Sequence, residues 1–263
     1  MPNTFAFPTL IHRQASEKIV EHFSRLPQVH AILLVNSCAR GVATPESDLD
    51  IAVLIDTTIS RENQILLEKD WHELYMTQPV FTQIKQLGQF SGVHLDFFNG
   101  QWTPEKWDDG GGPDYFEIEI GNRVAYSVPL WDNSNIYKDI RSSWLPYYDE
   151  SLQQERLAMV RASCQLNIAR LQFYVNRGLY FQAFDRLYHA FQEFLQAVFI
   201  ARSTYPIAYN KWIHEQVVNW LKLPLLYTEL PSILEVSHLE GDVLNQKGKR
   251  LLELLEQWTS LQK

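Results

Sequence analysis

The sequence predicts an α+β chain, with strands and helices mixed in the first half and helices alone in the second. Three observations carry this. Short apolar runs bounded by turn residues, HAILLV (30–35), LDIAVLID (49–56) and VHLDFF (93–98), read as strands. The stretches between them repeat apolar residues at intervals of three and four, the spacing of a helical face. From about residue 149 only the helical spacing recurs, as in a bundle.

In chain order, residues 14–26 place Ile19, Val20, Phe23 and Leu26 on one helical face, and Pro27 ends it. HAILLV is the continuous apolar run of a buried strand. NSCARGVATPESD is polar and turn-rich, opening on a junction that begins a short helix. LDIAVLID forms a second strand paired with the first. Residues 60–87 read as helix with a break at Pro79, and VHLDFF reads as a third strand. DDGGGPD (108–114) is a loop, and a shorter helical or extended piece follows before Pro129. The Asn-, Ser- and Trp-containing segment Pro129–Pro146 marks the boundary, so the expected domains are 1–130 and 147–263. In the second, Leu157, Val160, Cys164, Ile168, Leu171 and Val175 define one helix that Gly178 stops. Phe184, Leu187, Phe191, Phe194 and Val198 define another. A shorter helix lies near 210–222, and Leu251, Leu254, Leu255, Trp258 and Leu261 define the last.

The 263 residues carry 31 acidic and 23 basic side chains, a net charge of −8. That is a poor footing for non-specific nucleic-acid binding, which needs a basic face. An acidic surface suits a cationic substrate or a metal-bridged nucleotide. The two cysteines, Cys38 and Cys164, form neither a disulfide framework nor a zinc cluster. No signal-peptide pattern and no membrane-spanning apolar run is present, so a cytoplasmic location is expected.

The chemistry concentrates in ILLVNSCARGVATPESDLDIAVLI. Asp48 and Asp50 alternate with Leu49 and Ile51, which puts both carboxylates on one face of a strand. Two carboxylates this close repel one another unless a cation lies between them. Hard divalent cations such as magnesium favour such ligands, with substrate phosphates completing the shell. Asp96 supplies a third carboxylate from another strand, able to bind a second metal or to take a proton from an attacking hydroxyl. Upstream, Asn36 and Ser37 enter a turn that offers a hydroxyl and backbone N–H groups to phosphate. Arg40 adds a guanidinium, and Gly41 permits a left-handed backbone. An isolated Asp-x-Asp would read as solvated acids at a strand start. The Ser37-x-Ala39-Arg40-Gly41 spacing and the later Asp96 turn the balance toward a site.

These residues resemble the signature of the DNA polymerase β-like nucleotidyltransferase superfamily, and more closely that of the minimal and antibiotic-modifying members. Their motif, Gly-Ser-x-Ala-Arg-Gly-x-Ala-x-x-x-Ser-Asp-x-Asp, is matched at Ser37, Ala39, Arg40, Gly41, Ala43, Ser47, Asp48 and Asp50. Asn36 stands where the motif has glycine. The resemblance implies a mixed sheet with flanking helices, then a helical domain that selects the substrate. It implies Mg2+ on Asp48, Asp50 and Asp96, and a nucleoside triphosphate such as ATP bound by Asn36, Ser37, Arg40 and Ser47. Lys211, beside Tyr209 and Trp212, is a further candidate for phosphate. The implied reaction moves a nucleoside monophosphate onto a hydroxyl of a small molecule such as an aminoglycoside-type antibiotic, an antibiotic-resistance activity. Two alternatives stay open: modification of a protein or tRNA, and a catalytically silent nucleotide-binding protein. A homodimer also stays open. His94, which shares a face with Asp96, and Glu117 or Glu119 are secondary candidates. The glycine loop around Asp109 lacks the following Lys-Ser/Thr of a phosphate loop.

Overall fold

The computed structural model describes residues 6–104, 111–133 and 135–260. Asp108, Asp109 and Gly110 of the glycine loop lie outside them. The fold is α+β, a mixed four-stranded sheet followed by a mostly helical region. Two compact units emerge, residues 1–103 with 119–145, and residues 104–118 with 146–263.

In the first unit, α1 (Leu10–Phe23) leads to β1 (Val29–Leu34), α2 (Asn36–Ala39) and β2 (Leu49–Ile55). α3 (Arg61–Thr77), α4 (Pro79–Lys85) and β3 (Val93–Phe98) follow. The α1 helix starts earlier than the apolar spacing shows because Thr9 caps it, accepting the backbone N–H of His12 at 3.3 Å. Pro79 sits in the first turn of α4, where its missing N–H leaves no helical bond unmade.

The sheet order is β3-β2-β1-β4, with β1 antiparallel to β2 and β4 and β2 parallel to β3. Strand alternation divides the apolar residues cleanly. Ile32, Leu34, Leu49, Ile51, Val53, Ile55, Val93 and Leu95 meet Ala15, Ile19 and Phe23 of α1, Leu67 of α3, and Phe81 and Ile84 of α4. On the opposite face, Ala31, Leu33, Ala52, Leu54 and Phe98 meet Tyr137 and Ile140 of α6 (Asn135–Trp144). The register Asp50↔His94 and Ala52↔Asp96 places Asp50, His94 and Asp96 on that second face, beyond its small apolar core.

One strand escapes the sequence reading. After α5 (Phe116–Ile120) and a π-helical turn at Gly121–Ala125, residues Val128–Asp132 form β4 and pair with β1, inside the stretch expected to be a boundary. Pro129 argues against a strand only in a sheet's interior. β4 is an edge strand, where proline's lost N–H needs no ladder partner.

In the second unit, α7 (Glu150–Asn176), α8 (Tyr180–Ala201), a π-helical turn at Glu215–Trp220, α9 (Pro224–Leu234) and α10 (Val243–Trp258) enclose one apolar core. Gly178, at φ +69°, follows α7 as the left-handed stop. Leu157, Val160, Cys164 and Leu171 of α7 face Leu187, Phe194 and Val198 of α8 and Leu251, Leu254 and Leu255 of α10.

Candidate active site

The site begins where β1 ends. Asn36 has φ +56°, the left-handed conformation that glycine adopts freely and asparagine tolerates best among other residues. The turn therefore survives the replacement of glycine. It directs the chain into α2, whose first residues are Asn36 and Ser37, both partly exposed. Arg40 closes α2, its N–H bonding to the Asn36 carbonyl at 3.2 Å. Gly41 follows at φ +71°, in open space.

The turn Thr44–Ser47 then reverses the chain. The Ser47 N–H bonds to the Thr44 carbonyl at 2.9 Å, and the Ser47 hydroxyl accepts the Thr44 N–H, also at 2.9 Å. Ser47 is thus occupied in shaping the approach to Asp48. The Ser47 carbonyl lies 2.9 Å from Nε2 of the fully buried His12, so that nitrogen carries the proton, while Nδ1 faces the Thr9 hydroxyl at 2.7 Å. Ser91 donates its hydroxyl to the Glu46 carbonyl at 2.7 Å. These bonds fix the segment ahead of β2 from two sides.

Asp48 stands immediately before β2. Its carbonyl accepts the Cys38 thiol at 3.5 Å. Its Oδ1 is buried and has no hydrogen-bond partner, although the side chain as a whole is 37% exposed. His94 Nε2 lies 3.8 Å from it. A Cβ on Gly92 would stand 3.7 Å from Oδ1 and 3.6 Å from His94 Nε2, so a larger residue there would fill the space beside the carboxylate. A buried carboxylate oxygen without a donor is unfavourable by itself and suits a cation. The donorless oxygen of Asp48 is the feature here that a hard divalent ion would fit. Burial first, then the charges of Asp50 and Asp48 against the Ser37 hydrogen bond, pushes the Cys38 thiol up to about 12. It stays neutral beside the acids.

Asp96 lies two positions beyond His94 on the same face, 74% exposed, with Arg123 Nη2 3.9 Å from its Oδ2. Arg123 also pairs with Glu119. Among the described residues, no set of three or more His, Cys, Asp or Glu side chains is gathered closely enough to hold a metal ion. The sheet brings Asp50 and Asp96 to one face without joining all three acids in a single cluster.

The remaining candidates divide by unit. Glu119 is in the first, bound to Arg123. Glu117 is in the second, fully buried against Arg156, with its carboxylate oxygens 2.7 and 2.8 Å from the guanidinium nitrogens. Lys211 is also in the second unit, exposed, in a turn held by Gln216, whose Nε2 bonds to the Lys211 carbonyl at 3.1 Å. Sequence reasoning missed His12, Gly92 and Arg123. Each acts through a contact 35, 44 or 27 residues away in the chain, to Ser47, Asp48 and Asp96 respectively, and no local pattern encodes such a contact.

Residues 17–88 match the family model described as Polymerase beta, Nucleotidyltransferase. The match supports placing this segment in the polymerase β-like superfamily. It spans the Asn36–Ser37 turn, Asp48 and Asp50, and ends before Asp96. No curated protein matches the chain.

Proposed function

We propose that this protein transfers a nucleoside monophosphate from a nucleoside triphosphate, ATP first among them, to an acceptor hydroxyl, releasing pyrophosphate. The observation that carries the reading is the buried Oδ1 of Asp48, which has no hydrogen-bond donor and stands two positions before Asp50, downstream of the turn that the left-handed Asn36 opens. The matched nucleotidyltransferase domain gives this arrangement its chemical context.

Asp48 and Asp50 would hold a magnesium ion, which when bound neutralises charge on the triphosphate. The Ser37 hydroxyl and the backbone of the turn receive phosphate oxygens, and Arg40 adds positive charge. The acceptor oxygen forms a bond to the α-phosphorus, and the bond between that phosphorus and the bridging oxygen to the β-phosphate breaks. Asp96 takes the acceptor's proton at a carboxylate oxygen. His12, through the Ser47 carbonyl, keeps the Asp48 segment in place.

The acidic balance favours a small cationic or neutral acceptor, of which an aminoglycoside-type antibiotic is one example, over nucleic acid. Residues 147–263 are assigned to acceptor selection, and the cytoplasm is the proposed location. No helix among the described residues is long and apolar enough to cross a membrane.

The test is a melting-temperature measurement with magnesium and ATP. The native protein is expected to be stabilised, by about 2.7 kcal/mol at a ligand concentration 100 times Kd. Asp48→Asn with Asp50→Asn should remove the shift. An unaltered protein that shows no magnesium-dependent shift overturns the reading.

A further inference from the structure

The register of β2 and β3 makes a three-acid cluster available, since Asp50 and Asp96 share a sheet face. The side chains do not form one. Asp96 is instead met by Arg123, and that cation is built into the scaffold. Arg123 lies in the π-helical turn Gly121–Ala125, a wider turn of the kind that recurs at functional sites. Glu119, four residues earlier, pairs with the guanidinium from one side, and the ring of Phe98 lies 5.4 Å beneath it. The Arg123 carbonyl accepts the Ser127 hydroxyl at 2.8 Å, and Ser127 lies 2.6 Å from the Tyr137 hydroxyl. The Arg123 side chain is only 22% exposed, against 74% for Asp96.

We infer that Arg123 is the resident counter-cation of Asp96, standing where a second metal ion would otherwise stand. This rests on the reading of Asp48 and Asp50 as the ion-binding pair. The guanidinium, shared between Glu119 and Asp96, offsets negative charge at Asp96 and weakens its hold on a divalent ion, so the chain binds one ion at Asp48 and Asp50 and none at Asp96. Asp96 stays exposed on the sheet face, with the guanidinium on one side of its carboxylate. Arg123 is a positioning residue: it acts through Asp96. The same side chain lines a polar cleft of about 320 Å³ with Gln64, Asn99, Gln101 and Glu119, at the outgoing end of β3. Movement of Arg123 would therefore be felt in both places.

The experiment is a titration with Mn2+ alone, free ion being read by electron paramagnetic resonance. The native protein should bind one ion, lost in the Asp48→Asn, Asp50→Asn double variant and kept in Asp96→Asn. Arg123→Gln should gain a second ion, bound about tenfold or more tighter than any second ion on the native chain, and lose it when combined with Asp96→Asn. Arg123→Lys, which keeps the charge, should stay at one. Loss of an ion in Asp96→Asn alone overturns the inference without altering Arg123, so it holds even if Arg123→Gln does not fold. An unchanged single ion in Arg123→Gln overturns it too, and leaves the Asp48–Asp50 reading standing. No bound Mn2+ in any variant overturns both.

Discussion

Asn36 shows how much one backbone angle decides. At φ +56° a Cβ crowds the residue's own carbonyl, most of all where it is branched; glycine has none, and asparagine's short polar side chain tolerates the conformation. Asn36→Gly should leave stability nearly unchanged. Asn36→Val should lower it by about 1–2 kcal/mol, read as a shift in the urea midpoint at constant slope. Gly92 gives a second prediction. Its Cβ position is 3.7 Å from Asp48 Oδ1, so Gly92→Leu should abolish the magnesium–ATP melting shift while leaving the far-ultraviolet circular dichroism intact. A retained shift would show that the space beside Asp48 is not used. Asn36, Gly41 and the aspartates were legible in the sequence because few residue types can do their work. Gly92, His12 and Arg123 were not, because their roles arise only when distant strands and helices close together.

At the scale of elements, periodicity was a good guide where burial was one-sided. β1, β2, β3, α7 and α8 lie within a few residues of the apolar patterns that announced them. It failed at β4, where Pro129 and an exposed edge weaken the alternation, and it assigned no element to α9. The α7–α8 pair contains an ionisable group that sequence spacing would assign to an exposed face. Glu193 on α8 is fully buried, accepting from Asn167 Nδ2 at 2.9 and 3.0 Å and from the Ser163 hydroxyl at 2.6 Å. Burial pushes its carboxyl up to about 7, against those hydrogen bonds and the charge of Arg186. The folded state therefore holds the proton more tightly than the unfolded chain, whose carboxyl titrates near 4.5. Stability present at low pH is lost as pH rises from about 4.5 to about 7. Glu193→Gln should remove this dependence, gaining on the native protein by roughly 3 kcal/mol at most across that window. Denaturant curves at pH 5 and pH 8 would show it, and parallel behaviour of the two proteins would contradict it.

For the molecule as a whole, the helical unit is held by a buried charge cluster as well as by its apolar core. Arg156, 1% exposed, bonds Asp114 at 2.7 and 2.8 Å and Glu117 at 2.7 and 2.8 Å, and Gln196 donates to both acids. Removing the cation leaves two buried carboxylates without it, so Arg156→Leu should cost about 3–5 kcal/mol, measured by urea unfolding. The pattern FEIEI in the sequence could not tell Glu117, clamped in this interior, from Glu119, which turns to Arg123. The whole molecule's chemistry, in turn, rests on the acids ahead of and within β2. Its most direct measurement follows the α-phosphate of labelled ATP in the presence of magnesium and a panel of aminoglycosides, tRNA and protein. Label should enter an acceptor with matching release of pyrophosphate, and both should disappear in the Asp48→Asn, Asp50→Asn variant. Transfer that persists unchanged in that variant, or no transfer to any acceptor together with no magnesium-dependent ATP binding, would contradict the account.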